Sequence, residues 1–149
     1  RFMTKTMPGI SADRRFWVGT VSREHVLIGV KGGFAMVNHG KLPPLQRLHP
    51  GDGFVFYSPK TAYPDGAPLK AFTAIGWVRD KDPYPAQMAD GQIGYRRDID
   101  WMAATETPIQ SLSDGLEFTR GNWGMLARRG LFEISGADFQ TIRAAMMKD

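Results

Sequence analysis

The sequence predicts an α+β domain in which a curved β-sheet or small barrel is flanked by short helices and followed by a C-terminal helix. Two observations support this fold class. Several segments rich in aromatic and β-branched residues have the composition of strands. Short apolar segments with helical spacing lie between and after them. At 149 residues the chain has the length of one domain, and this mixture of elements is typical of the α+β class.

The first elements follow directly from composition. Residues 16–22 are aromatic and β-branched, which predicts the first strand. Residues 23–30 place Val26, Leu27 and Val30 at helical spacing, and Gly32 and Gly33 provide a glycine end for a short helix. Residues 34–39 alternate imperfectly, so they fit either a strand or a shaped loop.

The middle of the chain predicts a helical turn at 45–48 and three further strands. Residues 54–58 form an apolar run typical of a strand buried on both faces. Residues 59–68 carry three prolines and a glycine and predict a projecting loop. Residues 69–78 and 94–102 show strand character, and in the second of these Tyr95 and Arg97 alternate with Arg96.

Capping signals define the last elements. Residues 121–124 predict a turn, followed by a short amphipathic segment that ends near Gly130. Ser135 is a good N-cap, and Asp138 stands three residues later in the capping-box position. The stripe that begins at Phe139 and continues through Ile142 predicts the last helix.

Composition excludes several classes of protein. The chain has no cysteine, which excludes disulfides, thiolate metal sites and a cysteine nucleophile, and which favours a reducing, cytoplasmic location. No apolar run approaches the ~18 residues of a membrane span. Residues 1–15 have no secretory pattern and are predicted to be a disordered tail outside a single domain at 16–147.

The positive charge is unevenly distributed along the chain. The total is +4, but residues 1–60 contain nine basic and three acidic side chains, a net charge of +6, and the rest of the chain carries −2. This asymmetry predicts a basic face built mainly from the first part of the chain, and polyanions are the usual partners of such faces.

Motifs for catalysis and cofactors are missing. His25, His39 and His49 lack metal-ligand spacing, so no metal is expected. No phosphate loop, dinucleotide fingerprint or nucleophile elbow occurs, so we expect neither a cofactor nor an enzyme. If the domain is nevertheless an enzyme, His25 or His39 beside Ser22 or Ser58 would be the candidate base and nucleophile.

Two strand ends instead carry polar groups suited to nucleotide recognition. The run Asn38-His39-Gly40-Lys41 offers an amide, an imidazole and an ammonium group, which can read a base edge and hold a phosphate. The end of the next strand, Tyr57-Ser58-Pro59-Lys60, has a similar set. Stacking aromatics for a flat ligand are available at six positions: Trp17, Phe34, Tyr57, Tyr84, Tyr95 and Trp123.

An ordered series of segments resembles the EVE domain of the PUA-like superfamily, in its bacterial stand-alone form. The series comprises residues 17–26, Gly32-Gly33-Phe34, Asn38-His39-Gly40-Lys41, Pro50-Gly51-Asp52, Tyr57-Ser58-Pro59, residues 72–76 and Asn122-Trp123-Gly124. The resemblance extends over residues 16–147. It implies a PUA-like pseudobarrel and a non-catalytic module that binds nucleic acid, DNA or RNA, by holding a methylated, hydroxymethylated or otherwise modified base in an aromatic-lined pocket.

The resemblance also implies roles for particular residues. Phe34 corresponds to the first aromatic of the pocket in the related YTH domain, and Ser22 with Asn38 would bond the base. Tyr84, Tyr95 or Trp123 would supply the second aromatic wall. The other implied binding residues are Arg23, Lys41 and Lys60 near the phosphate, and His39, Tyr57 and Ser58 around the pocket. A pocket for a small nucleotide-like metabolite, a protein-interaction site and, less favoured, a PUA-like hydrolase remain alternatives.

Overall fold

The computed structural model describes residues 13–147, which form one mixed sheet with four α-helices. The strands are β1 Phe16–Thr20, β2 Phe34–Ala35, β3 Gly53–Lys60, β4 Pro68–Val78, β5 Tyr84–Gln87, β6 Ile93–Trp101, β7 Thr107–Pro108 and β8 Leu131–Ile134. The helices are α1 Arg23–Gly32, α2 Leu42–Gln46, α3 Trp123–Arg128 and α4 Gly136–Met146. Short 3₁₀ turns lie at Asn38–Gly40, Ile109–Ser111, Ser113–Gly115 and Phe118–Arg120.

The sheet has the strand order β2-β6-β4-β3-β1-β8, with β5 added to β6 and β7 added to β4. β1 and β3 run parallel, whereas every other strand pair of residues 13–147 is antiparallel. The long strand β4 pairs with β7 near its start and with β6 near its end, so the sheet curls into a half-barrel. The predicted α+β fold with a curved sheet and a C-terminal helix is confirmed.

Both faces of the central strands are buried because apolar clusters lie on the two sides of the sheet. On β3, Phe54 and Phe56 belong to the cluster that includes Val26 of α1. The alternate residues Val55 and Tyr57 belong to the cluster that includes α4. The period of two along β3 therefore assigns successive side chains to different cores.

The buried carboxylate of Asp52 joins two chain segments through three hydrogen bonds. It is 2% exposed, and its Oδ2 accepts hydrogen bonds from Trp17 Nε1 and from the His49 backbone N–H, both at 3.0 Å. Its Oδ1 accepts a bond from the Arg15 backbone N–H at 3.1 Å. Asp52 thus fixes the chain before β1 against the turn before β3.

The predicted tail falls mostly on residues 1–12, which lie outside the described residues. Residues 14 and 15 pack on the domain: the Arg14 guanidinium lies 4.6 Å from the ring centroid of Trp77, and the Arg15 side chain is 3.6 Å from Glu133. Packing on the domain therefore begins before residue 16. No helix within residues 13–147 combines the length and apolar character that crossing a membrane requires.

Most predicted elements are confirmed, with some changes in extent. α1 ends at Gly32, and Gly33 caps it in the left-handed conformation, with a φ of 78° that glycine adopts without strain. Ser135 Oγ accepts a bond from the Asp138 N–H, as its N-cap role requires. Residues 34–39 become a two-residue strand and the start of a 3₁₀ turn. The proline-rich loop is shorter than 59–68 because β3 continues to Lys60 and β4 starts at Pro68. The short strands β5, β7 and β8 were not predicted.

We expect Asp52→Ala to destabilise the domain by about 2–3 kcal/mol, because it leaves the indole N–H of Trp17 buried without an acceptor. Asp65→Ala removes an exposed carboxylate from a loop and is the matched control. Urea unfolding followed by tryptophan fluorescence compares the two variants. Equal transition midpoints would contradict the structural role of Asp52.

Candidate functional site

A cavity of about 610 Å³, here called the main cavity, opens at the carboxyl ends of β1 and β3. Because these strands are parallel, with Thr20 opposite Tyr57, the residues that follow them meet at one edge of the sheet. This part of the lining consists of the last residue of β1 and the two that follow it, 20–22, and of the last two residues of β3 with Ala62 and Tyr63 after it. The remaining walls come from α1, residues 34–40, the β5–β6 turn, Arg96 and the α3–β8 turn.

Two glycines allow α1 to lie directly on Phe34. A Cβ atom at Gly29 would stand 2.5 Å from the Phe34 carbonyl oxygen, and one at Gly32 would overlap the Phe34 ring. The close approach buries Phe34 to 7% exposure at the edge of the main cavity. Larger residues at 29 or 32 would therefore push the helix away from this wall.

The Arg96 guanidinium covers one face of the Phe34 ring, with its carbon 4.0 Å from the ring centroid. Arg96 lines the main cavity, and its Nε is buried without a hydrogen-bond partner. Thr20 also lines the main cavity, and its Oγ1 is likewise buried without a hydrogen-bond partner. Buried polar atoms are normally satisfied, so both atoms indicate a place for a bound polar group or water.

Ser22 and His25 form a polar pair at the start of α1. Ser22 Oγ lies 3.2 Å from His25 Nδ1, and both residues line the main cavity. Ser22 occupies the N-cap position, but its side chain bonds the imidazole and not a helix N–H. The hydroxyl and imidazole together offer a donor and an acceptor to a ligand.

A left-handed turn carries Asn38 and His39. Their φ angles are 48° and 57°, and Gly40 follows at 88°. Successive left-handed residues are uncommon and strained, and such strain is concentrated at functional sites. The Asn38 amide lies beside Gly130, where no Cβ would fit, and the His39 ring packs 5.3 Å from the Tyr63 ring.

The charged lining of the main cavity is mainly basic. Lys60, Arg96 and Arg128 stand against a single carboxylate, Asp90, which leaves a net charge of +2. Lys60 Nζ donates to the Pro64 carbonyl at 3.0 Å, so the ammonium is held over the loop that follows β3. Within residues 13–147, no three His, Cys, Asp or Glu side chains are grouped as a metal site.

The main cavity contains part of the predicted site. Its lining includes Ser22, Phe34, Asn38, His39 and Lys60. The remaining predicted residues, Arg23, Lys41, Tyr57, Ser58, Tyr84, Tyr95 and Trp123, are absent from it.

Tyr57, Ser58 and Trp123 serve the core. Tyr57 is 4% exposed and meets Trp123 edge-to-face at 5.1 Å, on the side of the sheet that α4 covers. Burial raises the pKa of Tyr57. Ser58 is fully buried and shares a 2.8 Å hydrogen bond with Thr73. The alternation along β3 turns Tyr57 away from the main cavity, whereas Phe56 lines it.

Tyr84 and Tyr95 are also placed elsewhere. The Tyr84 hydroxyl donates to Asp98 Oδ1 at 2.6 Å, and burial together with this bond to a carboxylate raises its pKa to about 12. Tyr95 faces a second cavity. None of the three candidates for the second aromatic wall lines the main cavity, whereas the His39 and Tyr63 rings do.

The two remaining predicted cations lie outside the lining. Arg23 Nε pairs with Glu106 Oε2 at 2.8 Å, so its charge is already compensated. Lys41 is exposed and stands between Gly40, which lines the main cavity, and Leu42, which lines the second one. Neither side chain contributes to the walls of the main cavity.

Sequence reasoning missed Tyr63, Arg96, Arg128 and two methionines. The alternation along β6 predicts that Arg96 and Tyr95 lie on opposite faces of the strand, but it does not show which face borders a cavity. Met36 and Met88 pack against Gly40 and Gly94 and form an apolar wall. A Cβ at Gly94 would stand 2.5 Å from Met88 Sδ, so this glycine is needed for that contact.

A family model and similar sequences show the family of this chain, and a solved structure shows its fold. The model of the EVE domain matches residues 15–145. A UPF0310 protein of Mycolicibacterium vanbaalenii is 50% identical over 133 residues, covering 88% of this chain and 92% of that protein. UPF0310 protein YdcG of Bacillus subtilis is 47% identical over 136 residues, with coverage of 90% and 93%. A solved hypothetical protein from Leishmania major shares the fold, with a TM-score of 0.57, 12% identity and coverage of 91% and 96%. This chain belongs to the EVE domain family.

Proposed function

We propose that this protein is a non-catalytic module that binds nucleic acid and holds a modified base in the main cavity. The observation that carries the proposal is the unpartnered Arg96 Nε in a basic cavity that also contains Ser22 and Asn38. The volume of about 610 Å³ is within the usual range for small-ligand sites. A nucleic-acid partner also agrees with the cytoplasmic location expected from the sequence.

Polar groups of the cavity match the edge of a nucleobase. Arg96 has donors only, so its free Nε–H needs an acceptor such as a base carbonyl or ring nitrogen. Ser22, Thr20 and Asn38 can each donate or accept a hydrogen bond, so they can pair with a base edge that carries both donors and acceptors. Phe34 supports this arrangement from behind, because the guanidinium carbon lies over its ring at 4.0 Å from the centroid.

Apolar and aromatic groups provide the remaining contacts. The His39–Tyr63 pair offers ring faces to an unstacked base, as single-stranded and flipped bases require. Met36 and Met88 form a soft apolar wall for a methyl or hydroxymethyl substituent. Lys60 and Arg128 lie within reach of the phosphates on either side of the bound nucleotide.

We expect Arg96→Gln to weaken binding of the preferred modified oligonucleotide by about 10- to 100-fold, because one charge-assisted contact to the base edge is lost. Fluorescence anisotropy measures this with single- and double-stranded DNA and RNA that carry methylated or hydroxymethylated bases. Arg79→Gln removes the same charge from a residue paired with Asp100 outside the main cavity, and it should bind like the wild type. Negligible binding of every oligonucleotide would refute the proposal, as would equal losses in the two variants.

Lys60→Gln should weaken the binding of modified and unmodified oligonucleotides alike. It should also reduce the slope of log K against log salt concentration by about one, because a phosphate contact releases one counterion. Lys81→Gln is the matched control, since Lys81 pairs with Asp98 at 3.5 Å away from the main cavity. Titrations at several salt concentrations give the slopes. An unchanged slope in Lys60→Gln would remove Lys60 from the phosphate contacts.

A hydrolase is the second candidate, favoured by the 3.2 Å contact between Ser22 Oγ and His25 Nδ1. Serine nucleophiles are activated in this way when a third group orients the imidazole. Among residues 13–147, however, no carboxylate hydrogen-bonds the His25 ring, which makes the pair better suited to binding. Ester, amide and phosphodiester substrates should therefore show no turnover above buffer.

Turnover that is lost in His25→Ala but kept in His39→Ala would establish the hydrolase in place of the binding module. Free modified nucleosides should be tested for binding alongside the modified oligonucleotides. A nucleoside that binds as tightly as the oligonucleotide would indicate a small-metabolite site, because the phosphate contacts would then contribute nothing.

A further inference from the structure

A second cavity, of about 440 Å³, lies on the other face of β6. Successive residues of a strand point to opposite faces, so Arg96 lines the main cavity whereas Tyr95 and Arg97 line the second one. The second cavity is bordered by α2 and the segment that follows it, and by the turn before β5. The proposed nucleic-acid site does not use this second cavity.

Arg97 is a buried cation without a direct partner. The residue is 4% exposed, its Nε is buried with no hydrogen-bond acceptor, and no carboxylate of residues 13–147 lies within ion-pair distance of it. Burial lowers the pKa of Arg97, and the more distant charges of Asp82, Asp52 and Asp80 oppose this effect. A buried charge is costly unless it is paired and hydrogen-bonded.

The nearest carboxylates do not remove this cost. Both oxygens of Asp52 are already engaged by Trp17, His49 and Arg15. Asp82 lines the second cavity but is exposed, and its attraction to Arg97 acts through space without a contact. The guanidinium therefore offers unused hydrogen-bond donors and a positive charge to an anionic group that enters the second cavity from outside.

We propose that the second cavity binds the carboxylate of a small organic acid through Arg97. A carboxylate accepts two parallel hydrogen bonds from a guanidinium and carries the single charge that one arginine compensates. Leu42, Leu48 and Pro83 give the cavity apolar walls for a carbon skeleton, and Tyr95 can contact a ring. A phosphate dianion fits less well, because Asp82 lines the same cavity and repels a second negative charge.

The experiment is a titration of the ¹⁵N-labelled full chain with sodium benzoate, observed at the side-chain Nε–Hε resonances of the arginines. The Arg97 resonance should shift saturably, with half-saturation in the millimolar range expected for one charged contact and a small apolar surface. Benzamide, the neutral isostere, should leave the resonance in place. Inorganic phosphate should bind more weakly than benzoate.

Variants distinguish the site from general anion binding. Arg97→Gln should abolish the saturable response of neighbouring backbone amides, whereas Arg96→Gln, which changes the adjacent arginine on the opposite face, should bind benzoate like the wild type. Asp82→Asn changes an exposed residue, so it tests the site even if Arg97→Gln does not fold. Loss of the repelling carboxylate should tighten benzoate binding about two- to fivefold.

Several results would overturn the proposal: no saturable shift with benzoate, an equal shift with benzamide, tighter binding of phosphate than of benzoate, or an Asp82→Asn variant that binds no more tightly. None of these results bears on the oligonucleotide titrations, which depend on Arg96 and Lys60 in the main cavity. The two proposals can therefore fail independently.

Discussion

The parallel pairing of β1 with β3 is the constraint on which the site depends. Among residues 13–147 it is the one parallel pair in the sheet, and it requires the chain to cross over between the two strands. That crossover contains α1 and the left-handed turn, which both line the main cavity at these strand ends, and α2, which borders the second cavity. Ser22 and Lys60 are distant in sequence, yet they border one cavity because parallel strands end at the same edge.

Close packing of α1 transmits this constraint to the chemistry of the cavity. Gly29 and Gly32 let the helix rest on Phe34, and the Arg96 guanidinium packs over the buried ring. Each step uses a property of a particular residue type: the missing Cβ of glycine, the flat face of phenylalanine and the planar charge of arginine. The position of the polar groups in the site thus depends on the close approach of the α1 backbone to Phe34.

Local signals in the sequence were enough for the longer strands, the helices with clear caps and the family, because each depends on neighbouring residues, whereas the short strands β5, β7 and β8 were missed. Side-chain placement was harder. Tyr57 looked like a pocket residue because it ends a strand, but β3 is buried on both faces and its alternation turns Tyr57 to the opposite core. Trp123 joins it there. Tyr63, in a loop that composition describes only as irregular, contributes an aromatic ring to the main cavity.

The distribution of charge shows why position along the chain is a poor guide to local electrostatics. Residues 1–60 carry the surplus of +6, yet among the described residues 13–60 Lys60 is the one Lys or Arg in the lining of the main cavity. Arg15 and Arg23 are paired with Glu133 and Glu106 from the other part of the chain. That other part is net negative in sequence but contributes Arg96 and Arg128 to the cavity. Long-range strand pairing brings these charges together, so the basic character of the site is a property of the sheet topology.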